Sequence, residues 1–273
     1  MGCIARETVG EFAVGQTASV RTNRRRRAPE SLRRNDNERQ PRGVTQRYRL
    51  LIFDIDDTLV DFGASQNAAL VEIRTAHYPL AAPDSFQRIY TEVNHALWGR
   101  FARGEIEQEE IRRRRFTETA KRLGLPVPDW QAIGDAYEDA LATHAHLFDG
   151  AFELLESLAP RYRLAAITNG LTRVQKPKAQ RTGIDRLLDP YLISQELGIA
   201  KPSPAIFNRC LELTGIPANE ALMIGDSWES DGRGAATVGM DFCLVAPKRH
   251  GPPPGLPEPV FHVATIAELT GHL

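Results

Sequence analysis

Six short apolar runs, spaced along the chain with helical patterns between them, constrain this sequence more than any other feature. They are Arg49–Asp54, Arg163–Thr168, Tyr191–Ser194, Ala221–Asp226, Phe242–Val245 and Val260–Val263. Each has the length of a strand buried on both faces, and several end in a polar residue. Between them, Phe152, Leu154, Leu155 and Leu158 make one apolar helix face, and Ile206, Phe207, Cys210, Leu211 and Leu213 make another. Strand alternating with helix predicts an α/β fold: a parallel sheet with right-handed crossovers and helices on both faces.

One stretch interrupts the alternation. Residues 63–148 hold no convincing strand and read as four helices, near 64–78, 83–100, 107–123 and 129–146. Pro79, Pro83, Gly104, Gly124, Pro126 and Pro128 punctuate them. An insertion after the first strand sits over the carboxyl ends of the sheet, where open α/β folds bind ligands. The predicted organisation is therefore a core over 47–62 and 149–273, with an inserted α-helical cap over 63–148.

Residues 1–46 are expected to form a disordered Arg-rich tail. They carry ten Arg against five acidic residues and lack apolar periodicity. The remaining 24 basic and 30 acidic residues give the body a charge of −6, which suits neither a nucleic-acid polymer nor a membrane as partner. The three cysteines, Cys3, Cys210 and Cys243, make no disulfide framework or zinc spacing. With no apolar run of about 20 residues and no secretory h-region, the expected location is the cytoplasm. Met-Gly-Cys-Ile opens the chain, but Arg6 breaks the myristoylation pattern.

The chemistry concentrates at the ends of the strands. In Asp54-Ile55-Asp56-Asp57-Thr58-Leu59, three acids fall within four residues. Like carboxylates oppose each other's ionisation, and a bound cation relieves this; hard oxygen ligands suit Mg²⁺. Asp54 and Asp56 can reach one reacting centre, one as attacking group and the other as proton carrier. Thr168-Asn169-Gly170 supplies a hydroxyl and backbone donors, and Lys201, before Pro202, supplies an ammonium for a phosphoryl oxygen. Asp226 and Asp231 add carboxylates for a metal. Singly, these pieces read equally well as an Asp-rich turn, helix caps and a surface lysine. Four strand ends bearing complementary groups, in this order, do not.

This set resembles the haloacid dehalogenase (HAD) superfamily, over about residues 48–247. Its four motifs are met by Asp54, Asp56, Thr58 and Leu59, by Thr168 and Asn169, by Lys201, and by Asp226 and Asp231. The resemblance implies a Rossmann-like core and a hydrolase that passes a phosphoryl group through an aspartate. Asp54 would be the nucleophile, Asp56 the acid/base, and Thr168, Asn169 and Lys201 the phosphate binders. Mg²⁺ would be held by Asp54, the backbone carbonyl of Asp56, and Asp226, with Asp231 ordering its waters. Halide-releasing members lack the second aspartate, so Asp56 argues for phosphate esters. Gly232 departs from the family pattern, which often has an apolar residue after the last motif aspartate.

A helical cap after the first motif marks the subfamily of small-molecule phosphatases. The segment Val93–Ile106 and the stretch Leu171–Gly183, with Gln175, resemble house-cleaning pyrimidine 5′-nucleotidases. Trp98 would stack on a base and Arg100 or Arg103 bind its polar edge, with Phe62 at the entrance; alternatively Trp98 and Phe101, three apart, belong to the cap's own core. The alternative substrates are sugar or other small organic phosphates, of the acylneuraminate-9-phosphate or phosphoglycolate type. A non-catalytic binding protein on the same fold is a further reading, and an intact motif set speaks against it. His144 and His146, two apart, lack the spacing of a helical metal pair.

Overall fold

Alternate residues of a strand point to opposite faces, and this period of two sorts the apolar runs into two cores. The computed structural model describes residues 47–248 and 251–273. The expected tail over 1–46 lies outside the described residues. β1 (Leu50–Phe53), β2 (Arg163–Thr168), β3 (Tyr191–Ile193), β4 (Ala221–Gly225), β5 (Asp241–Val245) and β6 (Phe261–Val263) form one parallel sheet, in the order β3-β2-β1-β4-β5-β6.

The insertion that follows β1 consists of four helices, α1 (Phe62–His77), α2 (Pro83–Ala102), α3 (Gln108–Leu123) and α4 (Trp130–Thr143). Asp61 starts α1 by accepting a bond from the Ala64 N–H at 2.8 Å, and Pro83 opens α2 at a position that needs no N–H. The helix expected over 129–146 ends earlier, at Thr143. The reason is tertiary: the following residues pair with the outgoing chain, through a Val60–Leu147 bridge and a bond from the Phe148 N–H to the Leu59 carbonyl at 2.9 Å. Tyr90, Phe116 and Tyr137 lock the helices together, with ring centres 5.0 to 5.5 Å apart.

After the insertion come α5 (Ala151–Leu158), α6 (Thr172–Thr182), α7 (Ser194–Leu197), α8 (Pro204–Thr214) and α9 (Arg233–Thr237). Leu51, Phe53, Leu164, Ala166, Leu222 and Ile224 share one face of the sheet with Leu154, Leu155 and Leu158. Leu50, Ile52, Ala165, Ile167 and Met223 share the other with Ile206, Phe207 and Cys210. Leu213, expected with that second helix face, is instead 47% exposed near the end of α8. Among the described residues no helix is long and apolar enough to cross a membrane.

β1 is the pivot of this topology. The chain fills β2 and β3 on one side of it and β4 to β6 on the other. The strand order therefore reverses beside β1, and a crevice opens at the carboxyl ends there. Asp54, the next residue after β1, continues the ladder through its N–H to the Ile224 carbonyl at 2.9 Å.

Candidate active site

Asp54 stands at the floor of that crevice, 7% exposed. Its Oδ1 meets Lys201 Nζ at 2.5 Å, and the Thr58 hydroxyl lies 3.5 Å from Oδ2. Lys201 Nζ also reaches Asp231 Oδ1 at 2.7 Å. The lysine is held from behind by Asn169. That side chain donates Nδ2–H to the Lys201 carbonyl at 2.9 Å and accepts the Lys201 N–H at 2.8 Å. So the end of β2 positions a cation contributed 32 residues later. Thr168, 1% exposed, accepts the Gly170 N–H at 3.0 Å, which leaves its hydroxyl proton free to donate.

Asp54, Asp226 and Asp231 each offer an oxygen, and the three lie within 4.8 Å of one another. Asp231 is fully buried and accepts the Ser227 N–H at 3.2 Å. Only glycine fits at 225, because a Cβ there would stand 2.2 Å from Asp231 Oδ2. Gly232 has a local cause too: a Cβ would lie 3.0 Å from the Trp228 ring and 3.1 Å from Phe242.

Burial pushes Asp54 up to about 7, with Asp231 and Asp56 adding to the rise and Lys201 opposing it. Burial, then Asp54 and Asp231, push Asp226 up to about 8. Burial works against the Lys201 ammonium, but Asp231 and Asp54 outweigh it and hold its pKa above the ordinary range. When all three are ionised, the carboxylates against one ammonium leave two negative charges in a largely buried site. That donor set, all oxygen and doubly negative, fits a divalent cation such as Mg²⁺.

The Asp56 carboxylate stands apart from this trio. Gln175 Nε2 donates to its Oδ2 at 2.6 Å, and Lys178 Nζ contacts Oδ1. Gln175 is steadied by the Tyr191 hydroxyl at 3.2 Å, and Lys178 is wholly buried, 5.6 Å from the Phe62 ring centre. Sequence reasoning singled out Gln175 only by resemblance and missed Lys178. The available signal was their i, i+3 spacing, which puts both on one face of α6.

Above the floor is a cavity of about 260 Å³, roofed by Asn94, Trp98, Arg115, Tyr137 and Leu141. Trp98 lines it and also packs edge-on against Phe101, at 5.6 Å between ring centres, as expected for a pair in the cap's own core. Phe62 lines it as well. Arg100 and Arg103 do not; they pair with Glu105 at 3.4 and 2.5 Å. His144 pairs with Glu72 at 2.9 Å, and His146 bonds the His144 carbonyl at 3.1 Å, so neither joins the site.

The sequence profile of haloacid dehalogenase-like hydrolases matches residues 48–239, from the start of β1 through α9. The chain belongs to this family of hydrolases. Within the family, it is 30% identical over 228 residues to the HAD-hydrolase YfnB of Bacillus subtilis (strain 168), covering 82% of this chain and 94% of that one. It is also 30% identical over 220 residues to the pyrimidine 5′-nucleotidase YjjG of Escherichia coli (strain K12), covering 80% and 95%. A glyceraldehyde 3-phosphate phosphatase of Pyrococcus abyssi (strain GE5 / Orsay) is 33% identical, over 70% of this chain and 79% of its own. The solved structure of YfnB bound to magnesium superposes with a TM-score of 0.76 at 28% identity, covering 83% of this chain and 99% of that one.

Proposed function

We propose that this phosphoric monoester hydrolase acts in the cytoplasm on a pyrimidine nucleoside 5′-monophosphate, with Asp54 as nucleophile and Asp56 as acid and base. The observation that carries the reading is the floor of the cavity. A carboxylate at the sheet's switch point meets a buried ammonium and lies within 4.8 Å of two further acids, and another aspartate stands two residues on. The likeness to YjjG and the aromatic rings of Trp98 and Phe62 along the cavity support the nucleotide. The likeness to a glyceraldehyde 3-phosphate phosphatase supports a second reading, a small sugar phosphate.

In this mechanism an Asp54 oxygen attacks phosphorus, and the bond from phosphorus to the ester oxygen breaks. Asp56 gives its proton to the departing oxygen. It then takes a proton from the water that attacks the aspartyl-phosphate, which frees Asp54 and inorganic phosphate. Lys201 and the Thr168 hydroxyl bind phosphoryl oxygens, while Asn169 orients Lys201. Asp54, Asp226, Asp231 and the backbone carbonyl of Asp56 are the groups that would hold or order Mg²⁺. When bound, the ion supplies the positive charge that lets the carboxylates stay ionised beside a phosphate. Gln175 and Lys178 hold Asp56 through both of its oxygens and so set its orientation.

The test is kcat/KM with Mg²⁺ across nucleoside monophosphates and sugar phosphates, with Asp54→Asn as the inactive control. Pyrimidine nucleotides should lead the panel by tenfold or more. Sugar phosphates ahead of them would overturn the nucleotide reading, and substantial turnover by Asp54→Asn would overturn the nucleophile.

A further inference from the structure

The roof of the cavity carries two buried polar atoms with nothing to bond. Arg115, on α3, is 3% exposed. Its Nη2 donates to Glu138 Oε1 at 2.9 Å and its guanidinium lies 4.5 Å from the Tyr137 ring centre, but Nε has no partner. Asn94, on α2, is 8% exposed, and its side-chain oxygen has no partner either. Both residues line the same cavity as Asp54, next to Trp98. A buried donor or acceptor without a partner forfeits its hydration for nothing, so folded proteins keep few of them. Here two of them, one donor and one acceptor, belong to residues that line one cavity from two helices.

Charge decides what Arg115 is suited to. Glu138 accepts from Arg115 and from Arg112 Nε, each at 2.9 Å, and Arg112 also pairs with Asp135. Asp135 also pairs with Arg173, which in turn pairs with Asp139, so three arginines face three acids and Arg115 is already neutralised. Its side chain lines the cavity and carries an unpaired N–H but no free positive charge, which suits a carbonyl oxygen better than a second phosphate.

We propose that Arg115 and Asn94 are specificity-determining residues of the leaving-group subsite, reading an acceptor and a donor on a flat ring that lies against Trp98. The inference rests on the nucleotide reading above and names what would select the base. A pyrimidine base carries exocyclic carbonyl oxygens as acceptors, and an amino group or ring N–H as donor. A sugar offers hydroxyls of both kinds but no flat face for the indole. A site built to bond a polar group discriminates strongly against an analogue without it, because its own buried atoms then stay unpaired.

The experiment compares uridine and cytidine 5′-monophosphates with phenyl phosphate, whose leaving ring has no polar substituent, in wild type, Arg115→Met and Asn94→Ala. In each variant the kcat/KM ratio of nucleotide over phenyl phosphate should fall about ten- to hundredfold. An unchanged ratio overturns the inference, whether both substrates suffer equally or neither does. Arg115→Met leaves Glu138 with Arg112 alone, so if it fails to fold, Asn94→Ala, which touches no ion pair, decides. Should wild type prefer a sugar phosphate, the nucleotide reading fails together with the ring. A selective loss on that preferred substrate would still keep Arg115 and Asn94 as readers of the leaving group.

Discussion

The acidic trio ties metal binding to pH, and the size of the effect follows from its geometry. Asp54, Asp226 and Asp231 lie within 4.8 Å of one another, facing one ammonium. Asp54 and Asp226 are pushed from an ordinary 3.8 up to about 7 and about 8. Both are acids whose pKa rises on folding. Between about pH 4 and 8 the metal-free folded state therefore holds protons that the unfolded chain has released, and its stability falls as pH rises through that window. A cation that binds only ionised carboxylates competes with those protons. With half-ionisation near 7 and 8, both groups are ionised in about half of the molecules at pH 8 and in about a thousandth at pH 6. Mg²⁺ affinity should thus weaken on the order of 10²- to 10³-fold between pH 8 and pH 6. Calorimetric titration of the metal-free protein, in buffers of differing ionisation enthalpy, measures both the affinity and the protons released. The thermal shift given by Mg²⁺ should be larger at pH 8 than at pH 6. Asp226→Asn should raise the metal-free melting temperature at pH 8 while weakening Mg²⁺ binding. An affinity that changes less than threefold, with no proton release, would refute the reasoning.

Two other substitutions probe the supports of the site. Lys178→Met keeps the buried chain length but removes one of the two contacts that fix Asp56; kcat should fall about tenfold or more with KM little changed, and a wild-type kcat would exclude Lys178 from positioning Asp56. Gly225→Ala drives a Cβ to 2.2 Å from Asp231 Oδ2, so stability should drop by about 1–3 kcal/mol and Mg²⁺ should bind more weakly; a melt and a metal titration matching wild type would disprove the close packing.

What could be read locally was legible in the sequence. The apolar runs marked all six strands, because strand burial is a matter of successive residues. The polar residues at the carboxyl ends of β1, β2 and β4 had to gather at one rim, because parallel strands share a carboxyl end. That alone brought Asp54, Thr168 and Asp226 together. Lys201 joined them on chemistry, and its place depended on Asn169 gripping its backbone, a contact between segments 32 residues apart. The partners of Asp56 lie 119 and 122 residues from it, and they meet it only through the rotation of α6 against the sheet. The cap was harder still. Arg100 and Arg103 are close to Trp98 in sequence yet turn outward to Glu105, while Arg115 and Asn94 turn inward from separate helices. Sequence alone settled the sheet, its polar rim and the kind of chemistry found there, since each follows from residues that are neighbours along a strand or its loop. Tertiary structure decided which long-range partners hold Asp56 and Lys201 and which side chains line the cavity above Asp54, because helix packing angles depend on every contact of the assembled core.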